Sequence, residues 1–364
     1  MIKKAIKYAL KTTLPVWKTV LSRKCMLDSD SARKNLEAFS RKPVGTPVAK
    51  NTLAEFTCDL QIIIPAYNVE SYLKECLDSV LFQETQYTYK IVLINDGSTD
   101  NTTSIAEQYS HNDKVIVLHQ ENKGFSGARN TGLQNLFARY VMFVDSDDKL
   151  CPGAIEALLH TAFEYDCDIV EGGALALRGN GIQNYFSHAQ TKAIPTPLGV
   201  FHGQPWAKVF KSSYFEKIAF PEGFWFEDTI MTFLLYQAAE RCFVTDKNVY
   251  TYRINPNGIS CTFGGKPKSL DSYWVTESVM EACAQLQYPF NEASLDNFLY
   301  QITINQKRVS RLPELIQQSA FVLSAEMVNN YYSTQIIEKH EHSEVLQALL
   351  TRNWGLFRIL CRVY

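Results

Sequence analysis

Three carboxylates stand in four positions at Asp145-Ser146-Asp147-Asp148, directly behind the apolar run Tyr140 to Val144. Charges this close repel, so a fold keeps them together only where something neutralises them. A hard divalent cation such as Mg²⁺ or Mn²⁺ does this well, because it takes oxygen ligands and shares them with phosphates. An acidic surface turn capping the next helix is the other reading of the same residues. Upstream, a second apolar run ends in Asn95-Asp96-Gly97-Ser98, and a Gly/Arg/Asn cluster occupies 122–132. Downstream lies an isolated Glu227-Asp228 pair. Together these groups point to chemistry on a sugar nucleotide.

Such groups need a scaffold that aims them at one place. Leu60 to Ile64 reads as a buried strand stopped by Pro65, and Ser71 to Phe82 has helical spacing. Ile91 to Ile94 is a second strand, followed by a helix at about 100–109 and a strand at Val115 to Leu118. A helix near 128–137 and a strand at Tyr140 to Val144 complete the series. This alternation predicts an α/β fold, a mostly parallel sheet flanked by helices. Ligands of such sheets bind beyond the carboxyl ends of the strands, where Pro65-Ala66-Tyr67-Asn68, Asp96 and Asp145 to Asp148 all fall. Farther on, a helix at 153–165 and a short strand at Asp168 to Val170 lead into a polar stretch at 172–205. Trp206 to Phe210 reads as a strand, Glu227 to Glu240 as a strong helix and Val249 to Ile254 as a strand. From about Tyr273 the chain reads as helices.

The predicted divisions are 1–57, a basic amphipathic extension with a Pro/Gly linker at 40–57; 58–262, the sheet domain, split into 58–150 and 151–262; and 263–364, a helical region. Residues 1–50 carry twelve Lys and Arg against three Asp and Glu, within a chain of net charge −2. A basic amphipathic helix near Ile2 to Leu10, continued by Trp17, Val20 and Leu21, could lie on an anionic leaflet. It could equally be a solvated helix packed on the domain. Trp354, Leu356, Phe357, Ile359 and Leu360, mixed with arginines, repeat the pattern at the C-terminus. The nine cysteines form no CxxC pair and the seven histidines no paired spacing, so neither suggests a metal site. No nucleic-acid-binding motif is recognisable, and no apolar stretch reaches bilayer-spanning length.

Taken in order, these pieces resemble the family 2 glycosyltransferases, which have the GT-A fold, a Rossmann-like mostly parallel sheet. The matching segments are Ile62 to Asn68, Asn95 to Asp100, Asn122-Lys123-Gly124 with Ala128 to Gly132, Asp145 to Asp148, and Phe226 to Thr229. They cover roughly residues 58–260. The resemblance implies that Pro65, Ala66, Tyr67 and Asp96 meet the nucleoside, uracil lying flat against the end of the first strand. Lys123, Gly124, Arg129, Asp145, Ser146 and Asp147 complete the donor site. Asp145 would face the ribose, and Asp147 would ligate Mn²⁺ or Mg²⁺ across both phosphates. Arg129 could instead bridge to a strand-end carboxylate.

Asp228 is the expected general base, since a sugar hydroxyl attacks well only when its proton is withdrawn. A simpler role for the Glu227-Asp228 pair is charge at a helix N-terminus. Glu227, Trp206 and Lys208 are the expected acceptor-side residues, although Trp206 could pack in the core instead. Arg253, Lys266 and Lys268 could close over the pyrophosphate, the two lysines being more simply read as part of a solvated loop.

The resemblance thus implies a metal-dependent, inverting transfer of a hexose or N-acetylhexosamine from a UDP-sugar to a saccharide. With the basic termini, it suggests a peripheral enzyme at the inner face of the cytoplasmic membrane. There it would act on a lipid-linked saccharide during surface polysaccharide, O-antigen or lipooligosaccharide synthesis. One rival is an Asp-x-Asp phosphohydrolase, but its nucleophile usually follows the first core strand, and here the motif follows the fourth. A sugar-nucleotide pyrophosphorylase would need a basic Gly-rich loop where Pro65 to Asn68 stands. A non-catalytic carbohydrate-binding protein on the same fold is the third.

Overall fold

The structure, a computed structural model, describes residues 23–179, 181–256 and 258–363. The amphipathic helix expected before residue 23 therefore lies outside the described residues. The chain forms two compact units, Val44–Gly258 and a second built from Ile259–Tyr364 with the described part of Met1–Pro43.

The first unit is built on one sheet. Its strands are β1 (Thr52–Ala66), β2 (Tyr89–Asp96), β3 (Val115–Gln120), β4 (Asn135–Phe143), β5 (Lys149–Leu150), β6 (Ile169–Arg178), β7 (Gly181–Phe186), β8 (Lys192–Ile194), β9 (Lys208–Lys211) and β10 (Cys242–Arg253). The order is β3-β2-β1-β4-β9-β6-β10-β5, with β7 on β6 and β8 on β10. Strands β3, β2, β1 and β4 run parallel, and β6 and β10 are parallel to each other. Strand β9 lies antiparallel between β4 and β6.

Ile62, Ile63 and Ile64 are fully buried, as expected of a strand covered on both faces. Each such side chain contributes up to about 2–3 kcal/mol through burial. Buried Gln61 among them is satisfied: its amide donates to the carbonyl of Gly132 at 2.7 Å and accepts from the Phe137 N–H at 3.2 Å.

Several boundaries differ from the sequence expectation. The supposed linker at 40–57 already enters β1 at Thr52, where Thr52 and Leu53 pair with Asn135 and Leu136. The helix expected near 128–137 is Gly124–Leu133, and β4 starts at Asn135. Glycines at 124, 127 and 132 weaken the helical signal in the sequence. The fold needs one of them for close packing, because a Cβ on Gly132 would stand 2.6 Å from Ile63 Cγ2. The polar stretch at 172–205 carries the long β6 together with β7 and β8. The strong helix expected at Glu227 to Glu240 is instead a 3₁₀ turn (Glu227–Thr229), a π turn (Met231–Leu235) and one α turn (Tyr236–Ala238).

In the second unit, helix Ser29–Phe39 packs with Asp271–Gln285, Glu292–Val309 and Glu314–Tyr331 lying in the same unit. Asp28 caps the first of these, accepting from the Ser31 N–H at 2.8 Å. The C-terminal helix Trp354–Val363 buries Trp354, Leu356, Phe357 and Leu360 within this unit, and Trp354 Nε1 donates to Glu314 at 3.1 Å. Of the apolar residues that suggested a membrane-facing C-terminus, these four are therefore core residues and Ile359 is half-buried. Among the described residues, no helix is long and apolar enough to cross a membrane.

Candidate active site

The site residues collect at the carboxyl ends of neighbouring strands of the first unit. The β1/β2 register pairs Ala66 with Asn95, which sets the two loop starts side by side. Beyond them the loops are laced together. Asn68, held at φ 50°, accepts from the Thr99 N–H at 2.8 Å, and the Glu70 N–H donates to Asp100 at 3.1 Å. Pro65 and Ala66 are buried, whereas Tyr67 stands 48% exposed at the strand end.

Asp96 is 2% exposed and points one oxygen inward to the fold. Its Oδ1 accepts from Gln120 Nε2 at 2.6 Å and from the Lys123 N–H at 2.8 Å. Its Oδ2 is buried and has no hydrogen-bond partner among the described residues. Leaving such an acceptor unmade costs about 1–3 kcal/mol, so this oxygen suits a ligand N–H or O–H. Lys123 itself is exposed, and Gly124 follows it at φ 73°.

After β4 the chain turns sharply, the Asp148 N–H donating to the Asp145 carbonyl at 3.0 Å. Tyr250 holds the turn from β10. Its hydroxyl accepts from the Asp145 N–H at 3.0 Å and donates to Asp148 Oδ2 at 2.8 Å. Asp148 is 1% exposed, and its other oxygen accepts from the Arg253 N–H at 2.6 Å. Its role is to brace the turn. Ser146 is buried beside it. Burial, then the neighbouring Asp145 charge, pushes the Asp147 carboxyl up to about 6. Asp148 rises further through burial and the charges of Asp145 and Asp147. Arg253 is already engaged, its Nε donating to the Asp147 carbonyl at 2.8 Å and its Nη2 to Glu75 at 2.5 Å. It anchors the turn and does not stand open to close over a ligand.

Arg129 ties this turn to the Glu227-Asp228 segment. From helix Gly124–Leu133 its Nη2 donates to Asp145 Oδ1 at 2.7 Å and its Nη1 to Glu227 Oε1 at 2.6 Å. The bridging reading of Arg129 is the one seen here, to the strand-end Asp145 and to Glu227. Glu227 is buried, and its carboxyl is pushed up to about 7 by burial and by Asp228, with Arg129 opposing. Asp228 is half-buried. Phe226, immediately before the pair, sits at φ 64° in the left-handed region, which costs of order 1–3 kcal/mol for a bulky residue. The acidic pair is thus held by a strained entry and an irregular turn rather than by a regular helix start.

Two acceptor-side expectations change. Trp206 is 4% exposed and stacks on Tyr250 at 4.6 Å and Tyr252 at 5.4 Å, so it braces the tyrosine that holds the acidic turn. Lys208 is fully buried and pairs with Glu171 at 2.7 Å. A lysine enclosed in this way cannot reach an acceptor, and its place is structural. The sequence reading missed Tyr250, Glu171 and Gln120, which carry no motif spacing and acquire their roles only through strand neighbours far apart in the chain. Lys266 and Lys268 lie in the other unit, where Lys268 donates to Asp271 at 2.7 Å.

Among the described residues, no group of three or more His, Cys, Asp or Glu side chains is arranged to hold a metal ion. The donor set at 145–147 offers one or two carboxylates. That fits a cation whose remaining ligands are phosphate oxygens and water, the usual mode for Mg²⁺ with nucleotides.

Residues 61–218 match the family model described as Glycosyl transferase family 2. Glycosyltransferase GlyA of Streptococcus pneumoniae is 28% identical over 314 residues, 81% of this chain and 44% of the relative. YibD of Escherichia coli, described as an uncharacterized glycosyltransferase, is 32% identical over 56% of this chain and 64% of its own length. This chain thus spans less than two thirds of either relative. The crystal structure of S. aureus TarS 1-349 in complex with UDP-GlcNAc superposes with a TM-score of 0.65 at 20% identity, covering 84% of this chain and 91% of that one. Residues 61–218 are thus similar to glycosyl transferase family 2, and the sheet order and the superposition give this chain a GT-A-like fold.

Proposed function

We propose that the chain is a metal-dependent, inverting glycosyltransferase that moves a hexosyl or N-acetylhexosaminyl group from a UDP-sugar to a saccharide hydroxyl. The observation that carries this reading is Arg129, which holds Asp145 and Glu227 on the two arms of one guanidinium. The acidic turn suited to a nucleoside diphosphate and the segment bearing a candidate base are thereby fixed as one unit. Asp96, with its unpartnered buried oxygen, suits the nucleoside, and Pro65, Ala66 and exposed Tyr67 form the edge on which the base would lie. Asp147 would hold Mn²⁺ or Mg²⁺, with Asp145 toward the ribose and Ser146 beside them. When bound, such a cation stabilises charge on the departing diphosphate.

Asp228 takes the proton from the acceptor hydroxyl as its oxygen attacks the anomeric carbon. Glu227, pinned by Arg129, keeps Asp228 in place. Attack from the face opposite UDP gives inversion, and a product of retained configuration would overturn the mechanism.

Surface-polysaccharide assembly is supported by relatives such as the Poly(ribitol-phosphate) beta-glucosyltransferase of Bacillus spizizenii, 29% identical over 207 residues. A lipid-linked acceptor at the inner face of the cytoplasmic membrane fits the basic charge of residues 1–50. If deleting those residues left liposome binding unchanged, that membrane role would fail.

The deciding experiment measures UDP release from a panel of UDP-sugars with Mn²⁺, Mg²⁺ or EDTA, for the wild type, Asp147→Ala and Asp228→Ala. Slow release from one donor, abolished by EDTA and in Asp147→Ala, is expected. A folded protein that neither releases nor binds UDP would overturn the reading in favour of a non-catalytic role.

A further inference from the structure

Beneath the acidic turn lies a second buried network that the mechanism above does not use. The β9 register pairs Lys208 with Glu171, and the β4/β9 register sets both level with the last residues of β4, just before Asp145. Glu171 is fully buried and accepts four hydrogen bonds. Lys208 Nζ lies 2.7 Å from its Oε2 and the His202 N–H donates to the same oxygen at 2.8 Å. His188 Nε2 lies 3.0 Å from Oε1, and His202 Nδ1 3.3 Å from it. The Lys208 charge, with hydrogen bonds from both histidines, outweighs burial and keeps the Glu171 carboxyl well below the usual range.

An ionised carboxylate only accepts, so both ring nitrogens facing it must carry hydrogen. In neutral His202 this leaves Nε2 with a lone pair and no proton. The His202 ring is stacked on Phe186, centroids 3.5 Å apart and 14° from parallel, yet its side chain is 39% exposed, against 12% for His188. Nε2 of His202 makes no hydrogen bond among the described residues. Two residues on, Gln204 Oε1 is buried and also lacks a donor. The backbone carbonyl of His202 accepts from Tyr236, and the Tyr236 hydroxyl lies within electrostatic reach of Asp228. A clamped imidazole with a bare acceptor nitrogen, linked through its backbone to Tyr236, suits a hydroxyl donor.

We propose that His202 is a specificity-determining residue whose Nε2 accepts a hydrogen bond from a saccharide hydroxyl, its tautomer being set by Glu171, Lys208 and His188. This rests on the UDP-sugar reading above. The hydroxyl belongs either to the donor sugar or to the acceptor, and the two are separated by experiment.

The test uses the full chain with ¹⁵N-labelled histidine and the UDP-sugar that releases UDP fastest. Long-range ¹H–¹⁵N spectra, assigned with His202→Phe, should show Nδ1 protonated and Nε2 bare at neutral pH. The opposite tautomer would overturn the proposal. In kinetics, His202→Phe should raise one KM about tenfold with little change in kcat, as expected for loss of one positioned hydrogen bond. His202→Gln, which keeps an acceptor oxygen, should recover most of that loss. A rise in KM for the UDP-sugar during hydrolysis without acceptor assigns the hydroxyl to the donor. A rise confined to the acceptor KM assigns it to the acceptor. If the wild type binds UDP and His202→Phe moves neither KM, the inference fails while the transferase reading stands. If the wild type binds no UDP, both fall together.

Discussion

Two arginine–glutamate clusters, one in each unit, use the same chemistry with different charge balance. In the helical unit Glu277 sits among several donors, one of which, Lys42, also pairs with Glu281 at 2.9 Å. Arg33 reaches it with two bonds of 2.9 and 2.6 Å, Lys42 at 2.9 Å and the Tyr273 hydroxyl at 2.9 Å. Burial alone would raise its carboxyl, but hydrogen bonds and charge from Arg33 and Lys42 outweigh that and hold it below the usual range. In the sheet unit Arg129 is one cation between two carboxylates, with Asp147, Asp148 and Asp228 nearby and its own Nε buried without a partner. There burial wins, and the Asp147 and Glu227 carboxyls rise to about 6 and 7. A cluster whose charges are matched fastens helices together. One left short of positive charge, at a strand end, is poised to take up more. The Glu277 cluster is a staple, and the Arg129 cluster is the candidate site.

The sharpest way to break this contrast is to remove function without removing fold. Asp228→Asn should lower kcat about 10³-fold, the range for loss of a positioned general base, and leave the melting temperature within a degree or so of wild type. A comparable loss of Tm would mean that Asp228 is structural, and the contrast would then collapse.

Arg129→Met should affect both properties, because it leaves buried Glu227 and half-buried Asp145 uncompensated. Stability should fall by about 3 kcal/mol, with a transferase rate at least about 100-fold down from the loosened turn. Arg129→Lys should rescue little, since a single ammonium lacks the planar fork that spans two carboxylates. Full rescue by lysine would show that charge alone, not the fork, is what the site requires.

What the sequence disclosed follows the same division. The parallel strands were legible as unbroken apolar runs such as Ile62 to Ile64, with Asp96, Asp145 and Asp147 as acids at their ends and Glu227-Asp228 as a separate acidic pair. Those signals are local. Tyr250 and Glu171 were not legible, because a lone tyrosine and a lone glutamate gain meaning only from register with strands tens of residues away. Lys208 and Trp206 were misleading for a related reason. Both look like ligand-binding side chains until β6 and β10 close over them. Helix Gly124–Leu133 was masked by its glycines, one of which the fold needs where Ile63 approaches. The apolar C-terminal helix read as a surface feature because part of what covers it, such as Phe321, lies tens of residues away in sequence. The Glu277 cluster drew no attention at all, since it joins residues 33 and 42 to 277 with no motif.

The smallest expected effect tests whether that second cluster is only a staple. Glu277→Gln should leave UDP release unchanged and cost about 2 kcal/mol, the scale of charge-assisted hydrogen bonds lost from a buried carboxylate. The pH dependence fixes the cause. The folded carboxyl titrates below its unfolded value of about 4.3, so its stabilisation is fully present above that pH and fades as pH falls toward the folded value. Urea midpoints for wild type and Glu277→Gln should therefore differ most near neutral pH and converge in acid. A gap that stayed constant down to about pH 3, below the unfolded value, would show that Glu277 acts through packing rather than charge. The two clusters would then differ in more than their charge balance.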